Sequence, residues 1–137
     1  MSAPDRAFPR LAQEEGFRSR LYADTRGYQT LGYGFNVSAG ITQRAAAALL
    51  RAQLEELHEA LCAYSWYENL DESRQAVCLD IAFNDGLHGL VLGFPKMIAA
   101  LSTQNWTVAA SECHVTNPEL ASRYDALAKI LLTGASV

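Results

Sequence analysis

The residue pattern changes character once, near residue 40, and that single switch limits the folds open to the chain. Before it, Leu21, Tyr22, Tyr28, Thr30, Leu31, Tyr33 and Phe35 set β-favouring side chains on both sides of a polar Asp24-Thr25-Arg26-Gly27 turn, which reads as a hairpin. After it, apolar residues recur at helical spacing. Thr42 is placed as an N-cap, and Leu49, Leu50, Leu54, Leu57 and Leu61 carry a helix to about Tyr64, the longest element expected. A second helix follows Asp71. Its Ala76, Val77, Leu79, Ile81, Ala82 and Phe83 leave little polar surface, as a helix surrounded by others requires. Shorter pieces are expected at Gly86–Val91, Pro95–Ser102 and Trp106–His114, with a last helix over Pro118–Thr133 between Asn117 and Gly134. Ahead of the hairpin, Pro9–Glu15 reads as a short helix closed by Gly16.

The architecture expected is therefore α+β, mainly α. A small hairpin lobe covers about 16–40, and a helical bundle lobe covers about 41–137 together with the N-terminal helix. At 137 residues and 50% apolar content this is one domain with enough side chain to bury a core. A net charge of −4 supplies no basic field for nucleic acid or an anionic membrane surface, so neither partner is expected, and a monomer is. Cys62, Cys78 and Cys113 have no C-x-x-C spacing and lie in apolar helical runs, so they read as buried free thiols. His58, His88 and His114 fall in separate elements, and no metal or other cofactor is expected. The first residues contain no signal-type apolar run, and no uncharged apolar stretch reaches 18 residues, so synthesis and folding in a cytoplasm are expected.

Chemistry concentrates between Glu15 and Phe35. A carboxylate at a helix end, a second nine residues on in a turn and a hydroxyl six residues later can face one another. Cleaving a glycosidic bond takes one protonated carboxyl to protonate the leaving oxygen and one ionised carboxylate to activate water. The negative end of a helix disfavours ionisation of Glu15 and suits it to the acid role, while Asp24 in a wet turn suits the base. Thr30 then has a hydroxyl to hold the water. The same residues have ordinary structural uses, since glutamates at helix ends and aspartates in turns are common.

The full segment EEGFRSRLYADTRGYQTLGYGFN resembles the signature of the phage-type lysozymes, the T-even phage lysozyme family of glycoside hydrolases. It shares their Glu-Gly, eight residues between Glu and Asp, five between Asp and Thr, and a closing T-[IL]-G-x-G. Weaker resemblance extends through LDESRQAVCLDIAFNDGLHGLVLGF and SRYDALAKILLTGA. The resemblance implies a lysozyme-like fold and a metal-independent muramidase that hydrolyses, with inversion, the β-1,4 bond between N-acetylmuramic acid and N-acetylglucosamine in peptidoglycan. Glu15 becomes the acid, Asp24 the base and Thr30 its helper. Asn84, Arg123 and Tyr33 become substrate-binding residues, with Arg123 matching an arginine that pairs with the catalytic glutamate. An endolysin made in the cytoplasm would act on the wall in the periplasm, released through a holin-like pore or carried by a tail particle.

Three departures accompany the match. Phe35 stands where the family usually has His. Only NVSAG separates the hairpin from the long helix, which implies a small lobe lacking a third strand and a helix. The acidic balance weakens attraction to an anionic wall, although Arg18, Arg20 and Arg26 form a local basic group. Two other readings stand beside the hydrolase: a lytic transglycosylase, which has no use for Asp24 and Thr30, and a non-catalytic wall-binding or structural module of a phage tail or secretion apparatus.

Overall fold

Helix α1 begins earlier than the residues around Pro9 imply. In the computed structural model, which describes residues 1–135, it runs Ala3–Glu15. Ser2 and Asp5 cap it reciprocally: the Ser2 hydroxyl accepts from the Asp5 N–H at 3.3 Å, and the Ser2 N–H donates to Asp5 Oδ2 at 3.1 Å. Pro4 takes the first-turn position that was expected of Pro9, and Pro9 lies inside the helix.

Strands β1 (Arg18–Ala23), β2 (Gln29–Gly32) and β3 (Phe35–Asn36) form an antiparallel sheet in that order. Tyr22 pairs with Thr30, Thr30 with Asn36, and Leu31 with Phe35, with an irregularity between Arg18 and Tyr22. The expectation that a third strand is missing is thus corrected. Gly32 and Gly34, at φ 68° and 75°, adopt a backbone that side chains resist, and they reverse the chain at once so that Phe35 and Asn36 pair back on β2. A single 3₁₀ turn, Val37–Ala39, follows, with the Asn36 side chain accepting from the Ser38 N–H.

Thr42 caps α2 (Gln43–Leu61), which stops short of Tyr64, and Ser65–Glu68 makes a separate turn, α3. Asp71 caps α4 (Glu72–Gly93), where Gly86 at φ 81° and ψ 164° breaks the helical path, so a distinct piece after Gly86 is present as expected. Up to that break α4 is shorter than the 19 residues of α2, which is the longest unbroken helix, as expected. Helix α5 spans Pro95–Ser102 as its Pro start predicts, and α6 spans Trp106–Ser111, ending before His114. Asn117 caps a 3₁₀ turn, Pro118–Leu120, rather than the last helix itself; α7 (Ala121–Thr133) follows and ends at Gly134 in the left-handed conformation, φ 71° and ψ 7°.

The chain divides into two compact units, Met1–Ala48 and Leu49–Val137. The second contains the apolar core, with Tyr67, Val77, Cys78, Ile81, Leu90, Met97, Leu101, Tyr124 and Leu131 all buried. Helix α4 is long and apolar enough by composition to cross a membrane, yet here it supplies Val77, Cys78, Ile81 and Ala82 to that core. Cys78 and Cys113 are buried free thiols. Cys62 departs from expectation, being half-buried in the turn after α2, and Cys113 lies just beyond α6 rather than within it.

Candidate active site

Glu15 is the last residue of α1, and Gly16 leaves the helix at φ 68° with its N–H still donating to the Ala12 carbonyl at 3.0 Å. The chain is thereby turned out of the helix directly after the carboxylate. That carboxylate lies over the backbone of Gly34: a methyl group at Gly34 would stand 2.6 Å from Glu15 Oε2 and 3.0 Å from its Cδ. The second glycine of the T-L-G-Y-G run is therefore the surface against which the Glu15 carboxylate rests.

Asp24 closes the turn between β1 and β2. Its Oδ1 accepts the N–H groups of Arg26 and Tyr28, both at 2.9 Å, while its own N–H donates to the Tyr28 carbonyl and its carbonyl accepts from Gly27. Six residues on from Asp24, Thr30 is buried, and its hydroxyl donates to the same Tyr28 carbonyl at 3.0 Å. Asp24 and Thr30 are thus held to opposite ends of one short stretch, and Tyr28 is their common anchor. Asp24 Oδ2 takes no hydrogen bond among the described residues.

Tyr33 projects from between the two glycines, with its ring edge-on to Phe8 at 6.0 Å and tilted against Phe17 at 5.6 Å, and half of it remains exposed. This small aromatic group belongs to the same unit as Glu15, Asp24 and Thr30. The sequence reading found Tyr33 but not its two ring partners, because Phe8 reaches it from another element.

Asn84 and Arg123 belong to the second unit. Asn84 is exposed on α4, two residues before the break at Gly86. Arg123 directs Nε and Nη2 at Asp80 Oδ1, at 2.9 and 2.6 Å, so the acid it holds is Asp80, where the resemblance implied the catalytic glutamate. Asp80 and Asn84 are four residues apart on α4 and share a face.

Sequence reasoning missed two polar anchors of this unit. Arg74 is buried, donates to the Leu131 carbonyl at 2.8 Å and to Asp71 Oδ1 at 2.9 Å, and lies 3.7 Å from the centre of the Trp106 ring. Tyr124, stacked on Phe94, donates its hydroxyl to Asp85 Oδ2 at 2.8 Å. Burial pushes the Tyr124 phenol upward, and acceptance of its proton by Asp85 adds to that. Neither had a local signal: Arg74 stands in the polar first turn of α4, Glu72-Ser73-Arg74-Gln75, and Tyr124 is one aromatic residue near the start of α7.

A mainly helical α+β chain with a glutamate ending its first helix, an aspartate closing the next turn and a threonine on the following strand has the make-up of a lysozyme-class glycosidase. The family model for phage lysozyme matches residues 12–128, and the chain belongs to the phage lysozyme family. That membership gives it peptidoglycan as substrate and hydrolysis as reaction. A search of curated proteins returns no match.

Proposed function

We propose that the chain is an endolysin-type muramidase that cleaves the β-1,4 bond between N-acetylmuramic acid and N-acetylglucosamine with inversion. The observation that carries this reading is the sharing of Tyr28 by Asp24 and Thr30. One carboxylate oxygen is tied to the backbone, the other takes no bond among the described residues, and a hydroxyl is fixed to the carbonyl of the same Tyr28. Such a group holds and deprotonates a water. Water attacks the anomeric carbon, its proton passes to Asp24, the glycosidic bond breaks, and Glu15 gives its proton to the leaving oxygen. Thr30 orients the water, and the exposed face of Tyr33 packs on a sugar ring. Asn84 offers an amide and Arg123 a guanidinium to the substrate. The reaction uses no cofactor. The enzyme is made in a cytoplasm, reaches the wall through a holin-like pore or on a tail particle, and works in the periplasm as a monomer.

Digestion of purified peptidoglycan, read by mass spectrometry of the fragments, tests this. The wild type should release reducing muramic ends with inverted configuration, and Glu15→Gln and Asp24→Asn should each release none above background. Anhydro-muramic ends that persist in Asp24→Asn would make the enzyme a lytic transglycosylase, and fragments from neither the wild type nor the variants would leave a wall-binding module.

A further inference from the structure

The second unit contains a thiol–imidazole pair that the glycosidase chemistry does not use. His58, near the end of α2, has its Nε2 3.6 Å from Cys62 Sγ and its Nδ1 2.7 Å from the hydroxyl of Tyr67 on α3. The two residues are four apart, so the last turn of α2 aligns them. Tyr67 is fully buried and its ring stands edge-on to the imidazole at 5.5 Å, which fixes the ring plane. His58 also lines a groove of about 530 Å³ between α2 and α4, and Cys62 is half-buried in the turn that follows α2.

We propose that Cys62 and His58 form a thiol–disulfide exchange site that takes small disulfides and becomes S-thiolated. Cys62 gives its thiol proton to His58 Nε2, and the thiolate attacks one sulfur of the incoming disulfide. A new bond forms to Cys62 Sγ, the old S–S bond breaks, and the departing thiolate takes the proton back from Nε2. The products are a mixed disulfide on Cys62 and one free thiol, with no net change in oxidation state. In the charged intermediate both ring N–H groups are satisfied, Nε2–H by Sγ and Nδ1–H by the Tyr67 oxygen.

Glu55 and Glu59 of α2 and Glu72 of α4 line the groove with His58, together with Arg51. Burial holds Tyr67 as a neutral phenol, so it remains available as an acceptor. Burial also pushes the thiols of Cys78 and Cys113 up to about 12, which leaves both unreactive at neutral pH. Cys62, half-buried and hydrogen-bonded to an imidazole, is the thiol open to exchange.

The experiment treats the intact folded protein with oxidised glutathione and follows intact mass, with peptide mapping of the adduct. One glutathione per chain is expected, on Cys62, and none in Cys62→Ser. His58→Gln, with its fold checked by circular dichroism, should react several-fold more slowly at pH 7, because the imidazole no longer takes the thiol proton. A His58→Gln rate equal to the wild type, or wild-type adducts on Cys78 or Cys113 formed as fast as on Cys62, would each overturn the proposal.

Discussion

In Met1–Ala48 the one buried side chain is Thr30, whereas every buried apolar residue among those described belongs to Leu49–Val137. The charges divide as unevenly: six arginines against four acids in the first unit, a net +2, and five basic against eleven acidic residues in the second, a net −6. The first unit takes its shape from local devices, namely a reciprocal cap at Ser2, an aspartate-closed turn and glycines at positive φ. The second takes its shape from side chains far apart in sequence packing on α4. A substitution in the first should therefore disturb geometry and activity, and one in the second should disturb stability.

The largest effect belongs to the core. Met97→Ala, at a fully buried position, should cost about 2–5 kcal/mol of unfolding free energy, while Leu11→Ala on exposed α1 should stay within about 0.5 kcal/mol. Denaturant melts of the two variants measure this, and equal losses would erase the contrast.

Gly34→Ala attacks the other side of the comparison. The added methyl collides with the Glu15 carboxylate at a backbone φ of 75°, and displacement of that group by about 1 Å should lower peptidoglycan turnover about a hundredfold. The melting of Leu49–Val137 should be unchanged. A variant that loses global stability in proportion to activity would break the distinction.

Arg74→Lys should cost about 1–3 kcal/mol, because an ammonium cannot span the Leu131 carbonyl, Asp71 and the Trp106 face together as the planar guanidinium does. Thermal unfolding followed by Trp fluorescence reports on it directly.

The smallest effect is a pH dependence at Asp71. Burial opposes its ionisation, but the side-chain and backbone hydrogen bonds with Arg74, and that residue's charge, outweigh burial and hold the carboxyl below 3.8. A depressed folded value means that the pairing stabilises fully above the unfolded value of 3.8 and that this benefit is lost as pH falls through the folded one. Asp71→Asn keeps a capping oxygen and removes the charge, so the gap in melting temperature between it and the wild type should narrow in acid.

The local devices were legible in the residues themselves. Thr42 and Asp71 as caps, Pro95 opening a helix, Gly134 closing one and the Asp24–Gly27 turn are all where the pattern put them. Misreadings arose where two local signals competed. Pro9 looked like a first-turn proline because it precedes an apolar run, yet Ser2 and Asp5 cap the helix a turn and a half earlier and carry it through Pro9. The third strand was discounted because only NVSAG separates the hairpin from α2, yet the two residues Phe35 and Asn36 suffice to pair back on β2 once Gly32 and Gly34 reverse the chain.

The sequence alone sufficed for the hairpin, for most of the helices that follow it, and for the placement of Glu15 at a helix end with Asp24 and Thr30 around a turn. Caps, turns and positive-φ glycines act over a few residues, so their consequences are written where they stand. Tertiary structure decided that Arg123 holds Asp80, 43 positions away, that Arg74 reaches Leu131, 57 away, and that the Glu15 carboxylate rests on Gly34. Each of those contacts depends on how separate elements pack, and a charged or small residue in sequence specifies the need for a partner without specifying which one the fold delivers.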